Sequence, residues 1–165
     1  MPDQFWFDLA NAAPTVDVKG GSIREANKGD FPVLSGMAVY LLELKPGAIR
    51  IPHWHPNASE LDYVISGEAI IGLGEPDDET PIAQTFEVFS GQIAWIPQGW
   101  FHYIKNGSAT EDLKMLVMFG NESPDDIGIS RGFQAMPNDV LGLAFNVDPS
   151  TFATLDRGIG YIAPQ

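Results

Sequence analysis

The hydrophobic pattern of this chain changes period along its length. Between Met37 and Phe119, apolar residues gather in short runs separated by Gly, Pro and polar clusters. The run Met37 to Leu44 is bounded by Pro32 before it and by Lys45-Pro46-Gly47 after it. Leu61 to Ile65 and Glu68 to Leu73 flank Ser66-Gly67, which predicts a compact hairpin. Thr85 to Phe89, Ile93 to Ile96, Phe101 to Ile104 and Leu113 to Phe119 continue the series. Short runs at regular spacing with turn signals between them predict an all-β sandwich or barrel.

The flanks read differently. Residues 1–30 are mixed and turn-rich, with Pro14 and the pair Gly20-Gly21, and predict an arm with short strands. Gly120 to Gly128, GNESPDDIG, is a polar loop, and Gly74 to Pro81, GEPDDETP, is an acidic turn of solvated charges. After Pro137 the apolar cluster Val140, Leu141 and Leu143 to Phe145 predicts a helix. Asp148-Pro149-Ser150-Thr151 is a good helix start, with an N-cap and proline at the first position, so a short helix from about Pro149 to Leu155 is expected.

Composition narrows the class. At 165 residues the chain suits one core of ordinary size. The formal net charge of −13 argues against nucleic acid and anionic membranes as partners, because both need cationic patches. Without cysteine there is no disulfide framework and no thiolate metal site. The first residues lack a secretion signal and no apolar run would span a bilayer, so a cytoplasmic location is the expectation.

The chemistry lies with three histidines, the whole complement of the chain. His53 and His55 are one residue apart, so on a strand they share a face and Trp54 points to the other. Glu60 would join them if the chain turned back at Pro56-Asn57 and paired as a neighbouring strand. His102 follows the turn Pro97-Gln98-Gly99 at the start of an aromatic-rich strand. Three imidazoles and a carboxylate converging inside a β-fold would bind a divalent metal, with two positions left on an octahedral ion for water, substrate or O2. Nitrogen and oxygen donors suit Mn, Fe, Ni, Co or Zn. Trp54, Trp95 and Trp100 are expected to fill core or interface, and Val64, Ile71, Ile96, Val117 and Phe119 to line the barrel.

Gly47-x5-His53-x-His55-x4-Glu60-x6-Gly67 and Gly91-x5-Pro97-x-Gly99-x2-His102-x3-Asn106 match both cupin motifs at every defined position. The stretches LKPGAIR (44–50) and HWHPNASE (53–60) resemble the two-cupin oxalate decarboxylases, and this chain is similar to one such half. The resemblance implies a cupin jelly-roll barrel: one domain over 1–165, with an arm at 1–30, the barrel core at 37–119, and a lid loop and helical tail at 120–165. It implies manganese at His53, His55, Glu60 and His102, a homo-oligomer, and oxalate or a similar small carboxylate as substrate. Arg50 matches the arginine that positions oxalate in that family; regular strand alternation would instead place it opposite His53, unless Pro52 disturbs the strand. The family's proton donor has two placements, on a lid loop or on the preceding strand, and the latter position is Val117 here. Glu122, Asp125 and Asp126 on the loop are the candidate acids. An O2-dependent oxidase or dioxygenase, a metal-dependent isomerase or lyase on a sugar acid or dicarbonyl, and a metal- or ligand-binding protein without catalysis are the alternative outcomes.

Overall fold

A computed structural model describes residues 4–75, 83–153 and 160–165. Most of the acidic turn at 74–81 lies outside them.

Among the described residues, ten strands precede the loop at 120–126: β1 (Val16–Val18), β2 (Gly21–Ala26), β3 (Ala38–Leu44), β4 (Ile49–Trp54), β5 (Glu60–Ser66), β6 (Glu68–Gly74), β7 (Ala83–Phe89), β8 (Ile93–Ile96), β9 (Phe101–Asn106) and β10 (Leu113–Phe119). Two short strands follow, β11 (Ile127–Gly128) and β12 (Ile162–Ala163), with α1 (Ile129–Gln134) and α2 (Asn138–Phe145) between them. One sheet runs β1-β2-β3-β10-β5-β8; the facing sheet runs β11-β4-β9-β6-β7, with β12 also on β4. The result is an all-β jelly-roll sandwich with few helices, as the run spacing predicts.

The alternation that makes each strand also makes the core. On β10 the buried residues are Leu113, Met115, Val117 and Phe119, every second position, and on β5 they are Glu60, Asp62 and Val64. Val64, Ile71, Ile96, Val117 and Phe119 are all buried, as expected for a barrel lining. Of the two places expected for Trp95, the core is excluded: it is 56% exposed on the outer face, because its inward neighbours Ala94 and Ile96 take the core positions.

Two sequence expectations are corrected. β5 and β6 are not a hairpin: β5 pairs with β10 and β8, whereas β6 pairs with β7 and β9 in the other sheet. Ser66-Gly67 is a corner between sheets. Gly67 has φ +88°, and a Cβ there would sit 2.8 Å from the Asp112 carbonyl oxygen. By the same logic β5 does not pair beside the His53 strand. The turn at Pro56-Asn57 sends the chain across the sandwich, so Glu60 faces the histidines from the opposite sheet.

The tail holds a helix at the expected place, α2, closed by Asn146 in the left-handed region. Pro149–Phe152 is a single 3-10 turn, with the Asp148 side chain accepting from the Ser150 amide as the cap motif predicts; residues 154–159, where the expected helix would end, lie outside the described residues. α1 was not foreseen: it opens on Gly128, without a side-chain cap or an acidic first turn to mark it.

Candidate metal centre

His53 on β4 lies directly opposite His102 on β9 in the ladder, and their ring centroids are 4.0 Å apart. His55 follows just past the end of β4, its ring 4.9 Å from that of His53. Glu60 opens β5 on the facing sheet. One donor atom from each of the four residues falls within 4.8 Å of all the others, and all four side chains are buried.

The hydrogen bonds fix which nitrogens are free. Nδ1 of His53 lies 2.7 Å from the Ile51 carbonyl, Nδ1 of His55 2.7 Å from that of Asp125, and Nδ1 of His102 3.0 Å from that of Trp100. A carbonyl only accepts, so each Nδ1 carries a proton and Nε2 is the nitrogen left to face an ion. Backbone carbonyls orienting imidazoles in this way are the usual outer support of a metal site. Nε2 of His55 and His102 and both Glu60 carboxylate oxygens are buried without a hydrogen-bond partner. Nε2 of these two histidines nevertheless lies 3.0 and 3.3 Å from Glu60 Oε2. Buried polar atoms are costly to leave unpaired, and here they converge on one point from three strands. This is a His3Glu donor set that fits a divalent cation.

Charge sharpens the fit. Burial, then the neighbouring Arg50 charge, holds His53 well below the ordinary histidine range, which keeps it a neutral ligand. Burial pulls His55 down as well, but the Glu60 carboxylate outweighs it and the net direction is up. Glu60 itself lies well below the ordinary range: burial works against its charge, and His102 and His55 more than offset that. Without a cation, Glu60 and His55 therefore neutralise one another.

Arg50 joins the site through an irregularity. The β4–β9 register shifts between Arg50 and His53, where Pro52 removes a ladder donor. The shift turns Arg50 inward, to 4% exposure. Its Nη1 donates to the Tyr161 carbonyl at 3.1 Å and its Nη2 pairs with Asp126 Oδ2. Arg50, His53, His55, Glu60 and Asp126 line one cavity of about 20 Å³, closed by Tyr40, Val117 and Phe119 among others. That is room for an ion or a water, and too little for oxalate beside it.

The three loop acids separate. Asp126 is in the cavity, with Oδ1 buried and unpartnered. Asp125 supports His55 with its carbonyl, and its exposed side chain borders a second cavity of about 220 Å³, which shares Ile23, Tyr40 and Asp126 with the first. Glu122 is tied to Lys28 of the arm and to the turn before β3, accepting from the Gly36 amide at 3.0 Å, Ser35 at 3.1 Å and Lys28 at 3.4 Å, and it does not line the metal cavity. The larger cavity is the vestibule of the smaller.

Three residues escaped the sequence reading. Asp62, fully buried two positions beyond Glu60 on the same face of β5, has its carboxyl pushed well above the ordinary range by burial and by Glu60. Strand alternation alone would have flagged it. Tyr40, its hydroxyl raised by burial and by Glu25, lines both cavities. Tyr161 comes from the far end of the chain, and no local pattern marks it.

Comparison with known proteins places this geometry. A family model described as Cupin matches residues 7–152. A probable oxalate decarboxylase of Arthroderma benhamiae is 32% identical over 164 residues, covering 96% of this chain and 39% of that protein. An oxalate oxidase of Triticum aestivum, GF-3.8, is 32% identical over 127 residues, covering 74% of this chain and 56% of the relative. The solved oxalate decarboxylase of Bacillus subtilis, described with Mn(II) centres, superposes with a TM-score of 0.90 at 25% identity, over all of this chain and 42% of its own. The chain thus spans about two fifths of the decarboxylases it matches.

Proposed function

The chain belongs to the cupin family, and from that premise we propose that it holds manganese at His53, His55, Glu60 and His102 and cleaves oxalate or a similar small carboxylate. The observation that carries this reading is one cavity lined by His53, His55 and Glu60 of the donor set together with the buried Arg50 guanidinium. A guanidinium is a planar fork for a carboxylate, and a buried one needs an anion. In this structure Asp126 is that anion. The relatives described as oxalate decarboxylase and oxalate oxidase, and the Mn(II) centres of the Bacillus subtilis protein, support the choice of substrate and metal.

When bound, the metal supplies Lewis-acid and redox chemistry at the ligand oxygens. The chain's own residues do the rest. The substrate's distal carboxylate replaces Asp126 on Arg50, which opens the cavity to the vestibule. Freed from Arg50, Asp126 serves as the general acid, carrying in a proton taken from solvent. As the carbon–carbon bond breaks and CO2 leaves, Asp126 returns that proton to the remaining carbon, giving formate. Phe119, Val117 and Leu42 give the cavity an apolar wall that limits the water reaching the carbon.

The oxidase outcome is the second reading, favoured by the match to the Triticum aestivum oxalate oxidase. If Asp126 stays on Arg50, no proton reaches carbon. The test is an oxalate assay on the manganese-loaded chain with formate, CO2 and peroxide all measured. Formate and CO2 in equal amounts are expected; peroxide without formate selects the oxidase, and neither product sinks the enzymatic reading. Asp126→Asn should cut formate release about 10²- to 10⁴-fold.

A further inference from the structure

Arg50 is seated by the last residues of the chain. β12 pairs antiparallel with β4, Ile162 opposite Arg50 and Ala163 opposite Ile49. At the irregular step of β4, the Tyr161 carbonyl accepts both from Arg50 Nη1 at 3.1 Å and from the Ile51 amide at 3.0 Å. Its ring lies under the same guanidinium, with the Arg50 Cζ 5.1 Å from the ring centroid. Arg131 of α1 lies against that ring too, at 5.2 Å. The segment that brings Tyr161 here is itself pinned. Ile162 is buried, and a Cβ on Gly20 would meet its side chain at 2.9 Å.

A long arginine side chain samples many rotamers and gains a fixed aim only from a rigid seat. The pieces of that seat are the Tyr161 carbonyl, which accepts from one N–H, and its aromatic face against the guanidinium. We propose that Tyr161 is a positioning residue: it holds the Arg50 guanidinium on the metal cavity and thereby sets the affinity of the site for a carboxylate. Tyr161 has this role only if Arg50 is the carboxylate anchor proposed above. The ring contributes through its negative face, an attraction that strengthens out of water. Because Tyr161 also borders the vestibule, the same ring meets the entering ligand beside the arginine.

Substitution at 161 leaves the backbone carbonyl in place and isolates the ring. The measurement is oxalate titrated by calorimetry into the zinc-loaded chain, where no redox turnover consumes the ligand, with metal content assayed afterwards. Tyr161→Phe keeps the ring and should bind oxalate within about twofold of wild type. Tyr161→Leu removes the face and should bind roughly tenfold more weakly, with one metal per chain retained. A residue that merely packs would lower thermal stability and leave the oxalate affinity unchanged. Equal affinity in wild type and Tyr161→Leu overturns the proposal, as does Tyr161→Phe binding as weakly as Tyr161→Leu. Arg50→Gln separates the two readings: if it too binds oxalate normally, the anchor itself is wrong and Tyr161 has nothing to position. Should Tyr161→Leu fail to fold, pentafluorophenylalanine at 161 keeps the ring's shape while abolishing its negative face, and the same tenfold loss is expected; unchanged affinity there also overturns the proposal.

Discussion

His102 shows how much one side chain carries. It is 1% exposed, its Nδ1 is spent on the Trp100 carbonyl, and its Nε2 faces the donor cluster, 3.3 Å from Glu60 Oε2. Replacing His102 or His53 by alanine should drop bound metal from about one ion per chain to under a tenth, measured by elemental analysis after dialysis. His55 adds a pH signature. Its folded value is raised, because Glu60 outweighs the effect of burial. The proton it holds must leave before an ion binds, so metal affinity should rise as pH increases from below the ordinary histidine value of about 6.5 and level off only above the raised folded value. Calorimetry in buffers of different ionisation enthalpy should show proton release below that point and little above it. A flat profile would mean that His55 is not a ligand.

At the scale of elements, corners and register place the site. Gly67 turns β5 out of one sheet and β6 into the other with a positive φ, and Gly67→Ala should destabilise the chain by about 1–3 kcal/mol in urea unfolding. β4 is shared by two late strands, β12 beside Arg50 and β11 beside His53. The step between them is where the arginine turns inward. Much of this was legible in the sequence: the short apolar runs between turn signals marked β3 and β5 to β10, and two cupin motifs marked all four donors. What was not legible depends on pairing at a distance. Nothing near Ser66-Gly67 distinguishes a hairpin from a sheet-crossing corner, since both need a residue with φ above zero. That Glu60 arrives from the facing sheet follows from β10 and β8 claiming β5. Tyr161 is 111 positions from its arginine, and only the folded tail brings them together.

Across the whole molecule the metal centre is a rivet. His53, His55 and His102 belong to one sheet or its margin and Glu60 to the other, so an ion there joins the two layers of the sandwich. Binding to the native state alone stabilises it by about 2.7 kcal/mol at a hundredfold excess over the dissociation constant. For a chain of this size that is on the order of 5–10 °C in melting temperature. Glu60→Gln should abolish most of that increment, read by calorimetric melting with and without manganese, although it keeps the volume of the side chain. The most direct test of the central claim is an anomalous difference map from crystals of the manganese-loaded chain. One strong peak per chain is expected, within bonding distance of imidazole nitrogens of His53, His55 and His102 and of a Glu60 oxygen. A peak elsewhere, or none with manganese in excess, would contradict it.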